Sequence, residues 1–359
     1  MNTSQWAQLF AIIRLELWKT FFSRRGLWIY LFALAPVLLF TANSIYAPRE
    51  QARLARIAES HSVALANLTV ITRGMSNNIV LENLGEPYQQ RTWRHPIEGG
   101  RVNERGFYRY TDGKSDFTFH FFNGRVRGIE RSDPETLPQN LLIFATIFRF
   151  YFLRLAVFFG CVGIFTNLFR GEMLDKSLHF YLLTPVRREV LLAGKYLAGL
   201  LATAVIFTAS AALQWEALLW QFDHQTVAAY FANPASAHLW SYLGVTTLAC
   251  AAYGSIFLCA GLLFRNPIVP AAVVLLWESA NLFLPATLQK LGIIYYLQSL
   301  CPLVAAPDSS MPVPLTMLIS ATPSSPASVA LASLILFTLA VLAFSAIRSR
   351  KLEINYSTD

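Results

Sequence analysis

Charge is scarce in this chain: Asp, Glu, Lys and Arg make up only 14% of its 359 residues, against 55% hydrophobic residues. That balance excludes an ordinary soluble domain, in which about a quarter of the residues are charged. Cysteine is scarce as well. The four cysteines, Cys161, Cys250, Cys259 and Cys301, lie in or near apolar runs without ligand spacing, so they define neither a disulfide framework nor a metal site. Common enzyme signatures are missing. No Gly-x-x-x-x-Gly-Lys-Ser/Thr run supplies a loop of backbone amides to cradle nucleotide phosphates. Gly-x-Ser-x-Gly and His-Glu-x-x-His are absent too. His61, His95 and His120 are scattered, and no pair is spaced to hold a metal from one element. The expectation is a chain that is not itself an enzyme and holds no cofactor.

Long apolar runs are abundant. A helix that crosses a bilayer needs about 20 mostly apolar residues, and six segments qualify: Leu27–Tyr46, Leu141–Phe169, Val190–Leu219, Ala237–Phe264, Pro267–Gln289 and Ala327–Ile347. The fold class is therefore an all-α integral membrane protein with six transmembrane helices. The run from Leu27 is too long for a removable leader, and Tyr46-Ala47-Pro48 is a poor cleavage context. Lys and Arg cluster before the first span, between the second and third, beside Arg265 and after the sixth, whereas Trp220 to Ser236 holds neither. The positive-inside rule then places both termini and residues 170–189 in the cytoplasm. The net charge of +8 is mainly a topology signal. Nucleic-acid binding would need a basic face on a soluble domain and is not expected. Residues 1–26 read as a helix lying in the cytoplasmic interface, with Trp6, Leu9, Phe10, Ile13, Leu17 and Phe21 on one face and Gln5, Gln8, Glu16 and Lys19 towards another.

Residues 47–140 form the one sizeable polar insertion, and they fall outside the membrane, since long translocated domains escape the charge rule. Arg49 to Leu84 reads as one or two helices stopped by Gly85-Glu86-Pro87. Strands follow at Gly106–Tyr110, Asp116–Phe122 and Arg125–Glu130, with Asn123-Gly124 as a two-residue hairpin turn. The result is a small α+β extracytoplasmic unit. Its arginines, including Arg91, Arg105, Arg109 and Arg127, stand either on a solvated sheet face or on a basic, aromatic-bearing face that meets an anionic partner. The Leu84-to-Pro87 stop and the Phe119-to-Val126 hairpin weakly resemble small periplasmic lipoprotein domains of the outer-membrane assembly type. That likeness implies an envelope location.

Ionisable residues within spans are costly and usually find partners. Arg154 in the second span and Glu278 in the fifth fall at similar depths, so they form either a buried clip between helices or part of a substrate path. Arg149 and Glu216 sit nearer the outer interface, where long side chains snorkel. Leu291 to Pro326 is apolar but broken by prolines, which suits re-entrant or outer-leaflet helices.

Between the second and third spans lies Arg170-Gly171-Glu172-Met173-Leu174-Asp175-Lys176-Ser177-Leu178, followed by Thr184-Pro185-Val186-Arg187-Arg188-Glu189 and Gly194-Lys195. Such a charged helix-and-turn projects from the bilayer, and its mixed surface suits docking in a groove of a soluble partner. Its order of Gly-Glu pair, amphipathic turn, Pro-x-Arg-Arg kink and Gly-Lys resembles the cytoplasmic coupling helix of type-2 ABC transporter permeases. Arg14 to Leu17, Ser23-Arg24-Arg25 and Pro36 are similar to the start of that family. The resemblance covers roughly residues 5–46 and 141–350. It implies an exporter permease of the bacterial cytoplasmic membrane, paired with a second permease chain, identical or a sister. It implies two separate ATPase subunits that bind ATP and Mg. It marks Glu172, Asp175, Leu178, Pro185, Arg187 and Arg188 as the contacts to the ATPase. The alternatives are a secondary transporter, or an envelope assembly or signalling protein whose outer domain does the work.

Overall fold

A computed structural model describes residues 3–22, 26–61, 63–96, 102–174, 187–232, 236–264, 266–302 and 325–350. The chain divides into two compact units, residues 1–41 with 137–359, and residues 42–136.

The first unit is helical. Helix α1 (Thr3–Phe22) precedes α2 (Leu27–His61), of which residues to Thr41 belong to this unit. Helix α5 (Leu137–Ile147) runs through a π-helical stretch, Phe148–Val157, into α6 (Phe158–Leu174). Four more follow: α7 (Arg188–Leu219), α8 (His224–Ala232), α9 (Ser236–Leu263) and α10 (Ile268–Ala280). The chain then passes through the short α11 (Ala286–Gln289) to α12 (Ile293–Leu300) and α13 (Ala327–Arg350). Among the described residues, five helices are long and apolar enough to cross a membrane: Leu27–His61, Leu137–Phe169, Arg188–Leu219, His238–Leu263 and Ala327–Arg350. Their length and composition suggest a multi-pass membrane protein.

The fifth expected span, Pro267–Gln289, is not one helix. Helix α10 has 13 residues, about 20 Å at 1.5 Å per residue, short of a hydrocarbon core of about 30 Å. A 3₁₀ turn at Asn281–Phe283 follows it, and Pro285 restarts the chain. Asn281 donates its side-chain amide to the Gln289 carbonyl at 2.9 Å, and Gln289 donates in turn to Leu284 O at 2.9 Å. These bonds close a compact turn in place of continuing helix, and proline denies the ladder an N–H.

The core of this unit is aromatic. Phe144, Phe148, Trp215 and Tyr242 meet with ring centroids 4.8–5.8 Å apart. Small residues let the helices approach: a Cβ on Gly254 would fall 2.4 Å from the Phe165 ring, and one on Gly194 would fall 2.8 Å from Ile12. Such contacts replace area burial as the source of helix cohesion where the surroundings are themselves apolar. Helix α1 buries Leu9, Ile12 and Glu16, half-buries Ile13, Leu17 and Phe21, and exposes Trp6, Phe10 and Trp18.

The second unit holds a four-stranded antiparallel meander, β1 (Gln89–Pro96), β2 (Val102–Thr111), β3 (Asp116–Phe122) and β4 (Arg125–Ser132). Strand β1 escapes sequence reading because its Gln, Arg and His residues give no apolar alternation. Phe117, Phe119 and Phe121 point inward onto Leu68, Ile71, Val80 and Leu84 from helices α3 (Leu65–Val70) and α4 (Asn77–Leu84) and the turn after α3, as the alternation demands. Helix α4 is capped by Ser76 and ends on Gly85 at φ +75°, where the Leu-Gly-Glu-Pro stop was expected. The β3–β4 hairpin turns on Asn123 (φ 47°) and Gly124 (φ 74°), both left-handed as a type I′ turn requires. Tyr88 donates to Asp116 at 2.8 Å, and burial, then this bond, push its phenol well above its ordinary range.

Candidate functional site

Two polar clusters lie inside the first unit. The larger surrounds α12. Its amide N–H groups at Ile293 and Ile294 donate to the two carboxylate oxygens of Glu278, both at 2.9 Å. Glu278 is only 3% exposed. At the other end, Arg149 donates to the Cys301 carbonyl at 2.5 Å, and Tyr242 donates its hydroxyl to the Pro302 carbonyl at 2.8 Å. A carboxylate thus meets the positive end of the helix dipole and a guanidinium the negative end. Gly292 precedes the first turn because a Cβ there would sit 2.5 Å from the Asn281 amide nitrogen.

The π-helical stretch explains how two arginines serve one cluster. Arg149 and Arg154 are five residues apart, and the i→i+5 ladder of a π-helix stacks such residues, where an α-helix would turn them apart. Arg154 rests on the Phe150 ring at 5.5 Å and lies near enough to Glu278 and Tyr253 for their charges to interact. It forms no direct ion pair with Glu278 among the described residues; Glu278 spends both oxygens on backbone amides instead. The buried Nε of Arg149, Nε of Arg154 and hydroxyl of Tyr253 have no hydrogen-bond partner among the described residues. Buried donors of this kind are costly to leave unmet, so the cluster has spare capacity to bind a polar group.

Arg149 therefore does not snorkel. It is 4% exposed and tied to a backbone carbonyl. Glu216 is exposed.

The second cluster joins α1, α6 and α7. Lys195, fully buried, donates to Glu16 Oε1 at 2.7 Å and to the Leu168 carbonyl at 2.8 Å, and its ammonium lies 5.4 Å from the centre of the Phe169 ring. Sequence reading missed this pair, although a lysine two turns inside an apolar helix requires an acid and Glu16 stood on the neighbouring segment.

Of the residues marked for ATPase contact, Asp175, Leu178 and Pro185 lie outside the described residues, as does the Glu172 side chain. Arg187 is the exposed N-cap of α7. Arg188 donates to the Arg350 carbonyl at 2.8 Å, and Arg350 returns a bond to Glu189 at 2.5 Å, fastening the start of α7 to the end of α13. The segment from Pro302 into the expected re-entrant region, residues 303–324, also lies outside the described residues. Among the described residues, no group of three His, Cys, Asp or Glu side chains is placed to hold a metal, and the four cysteines are free thiols.

Comparison with protein-family models, with curated proteins and with solved structures finds no match.

Proposed function

We propose that this chain is the membrane-spanning permease subunit of an ATP-binding cassette exporter in the bacterial cytoplasmic membrane. Two separate nucleotide-binding subunits bind ATP and Mg, and a second permease chain completes the pathway. What supports this reading is that α6 and α7, the helices that precede and follow the 170–189 segment in the sequence, are tied to α1 and α13. Leu168 of α6, Lys195 of α7 and Glu16 of α1 are joined by one ammonium, and Arg188 and Glu189 bind the end of α13. A displacement of the ends of α6 and α7 would reach α1 through the buried Lys195–Glu16 pair, which resists separation, and α13 through the exposed bonds of Arg188 and Glu189. Glu172, Asp175, Leu178, Pro185, Arg187 and Arg188 are the proposed ATPase contacts, and the Arg154–Glu278 cluster around α12 is the proposed pathway or hinge.

Purification of the full chain from its native membranes tests the proposal. An ATPase that co-purifies, and that is lost on replacing Glu172 by Lys, is the expected result. A chain that recovers no ATPase under any mild solubilisation overturns it. A second reading has its own support: the second unit presents an open cationic groove. If ATP hydrolysis by the assembled complex is stimulated through that unit and no solute crosses liposomes, the chain is instead an envelope assembly device that uses the same motor.

A further inference from the structure

We propose that the open face of the sheet in the second unit is a binding groove for an anionic amphiphile, a phosphate-type head on an apolar body. The inference is independent of the exporter reading, because it rests only on residues 42–136. The helices of this unit cover the inner face of the sheet, so Trp93, Arg105, Phe107, His120 and Phe122 stand on the other face by alternation. Of these, Trp93, Arg105, His120 and Phe122 border a groove of about 950 Å³ with Arg127 and Gly128, within the range that small-molecule sites occupy.

The arginines give the groove its sign. Some guanidinium groups of the unit meet carboxylates: Arg53 with Glu50, Arg94 with Glu104, Arg109 with Asp116, Arg131 with Asp133. Arg105 and Arg127 do not. Both lie over the single ring of Phe122, at 5.5 and 5.4 Å from its centre, and neither has a carboxylate or carbonyl acceptor among the described residues. Glu130, the acid on this face, is engaged with His120 at 3.4 Å. A ring beneath a guanidinium holds its flat face and leaves its N–H fork free for an oxyanion. Both forks border the one groove, and a phosphate offers the charge and the oxygens that such forks bind.

The apolar half of the ligand follows from what lies beside the forks. Trp93 is 41% exposed on a strand edge, and Phe107 and Phe122 are partly exposed, an unusual amount of aromatic surface to leave in water. Gly128 stands directly across from His120, and a Cβ there would find only ordinary contact at 3.8 Å, so the floor is open by lack of a side chain and could be filled without strain.

Calorimetry on the full chain in nanodiscs of neutral lipid tests the assignment. Dihexanoyl phosphatidic acid should bind at one saturable site. Dihexanoyl phosphatidylcholine, which has the tail without the net charge, and glycerol phosphate, which has the head without the tail, should each bind at least about tenfold more weakly, as loss of a charged hydrogen bond or of apolar burial dictates. Arg105→Gln with Arg127→Gln should weaken phosphatidic acid by about tenfold or more, while Arg105→Lys with Arg127→Lys retains part of the affinity. Gly128→Leu blocks the floor with every charge in place and should give the same loss, which covers the case of a double variant that folds poorly. Equal affinity for phosphatidylcholine overturns the anionic head, equal affinity for glycerol phosphate overturns the apolar body, and unchanged affinity in Gly128→Leu overturns the groove.

Discussion

Arginine is used in two ways in the two units of this chain. In the helical unit, Arg149 is buried and bound to the Cys301 carbonyl, and Arg154 lies beside Glu278 and Tyr253. In the sheet unit, Arg105 and Arg127 are exposed, stacked on Phe122, and meet no acceptor among the described residues. Surroundings account for the difference. Where water is excluded, a charge is favourable only if the fold supplies its counterpart, and removing that counterpart is destabilising. Where water is at hand, a charge needs no internal partner and is free to wait for an external one. An interior charge whose donors are met inside therefore reports how the helices are held together, whereas one with unmet donors, or an exterior one without an acceptor, is available to a ligand.

The sharpest way to break that comparison is to remove one member of the Glu16–Lys195 pair. Lys195→Met takes the ammonium at 2.7 Å away from the buried Glu16 carboxylate and leaves Lys19 at 4.0 Å, and up to about 3–5 kcal/mol of stability should be lost. The expected readout is a collapsed monodisperse peak after brief heating in detergent. Adding Glu16→Gln removes the stranded charge and should recover much of the loss. A single variant as stable as the parent would show that Glu16 reaches water, and the interior would not be as dry as the packing implies. Next in size is Glu278→Ala, which orphans the Ile293 and Ile294 amides. About 2–4 kcal/mol is expected from two unmet buried donors, seen as a lower thermal midpoint. Glu278→Gln offers one acceptor oxygen for two donors and should fall between parent and alanine variant. Should glutamine behave as glutamate does, the charge itself contributes nothing and α12 needs only a capping oxygen.

Much of this could be read from residue patterns, and the failures share a cause. Apolar runs at Leu27, Val190, Ala237 and Ala327 mark their helices because length and composition suffice for an element that buries its own backbone bonds. Asn123-Gly124 and the Phe117-Phe119-Phe121 alternation locate the hairpin for the same reason: the signal is local. Pro267–Gln289 misleads, since its apolarity is continuous while its backbone is broken by Asn281 bonding to Gln289, a contact no periodicity announces. The candidate site is legible only in part. Arg154 and Glu278 stand out as charges in apolar runs and do share one cluster. Their partners, the amides of α12, are invisible because backbone groups carry no letter in a sequence. Glu16 hides among the polar positions of α1, and the π-helical register that stacks Arg149 with Arg154 has no composition of its own. Pairing across long sequence separation is what the one-dimensional pattern leaves out.

Two further substitutions compare the units at lower cost. Arg149→Met keeps volume but forfeits a charged bond to Cys301 O, and about 1.5–3 kcal/mol should be lost. Hydrogen exchange at α12 should rise with it, because one end of that helix is set free. In the sheet unit, Gly124→Val places a β-branched residue at φ 74°, for which about 1–2 kcal/mol is expected from the left-handed backbone. Near-ultraviolet dichroism of the aromatic cluster would report that loss, and an unchanged transition would mean that the hairpin turn adapts to a different type.

The smallest effect on stability belongs to Arg105→Gln with Arg127→Gln. Each side chain gives up one exposed contact with an aromatic ring, worth about 0.5–1 kcal/mol, and the mutual repulsion of two guanidiniums on Phe122 is relieved at the same time. The two changes oppose each other, so the thermal transition of the sheet unit should move by less than that of Gly124→Val, and in either direction. That near-neutrality is what the comparison demands, since a residue kept for an external partner contributes little to the fold that presents it. A loss as large as that of Arg149→Met would place Arg105 and Arg127 among the structural arginines, and charge in the two units would then obey a single rule.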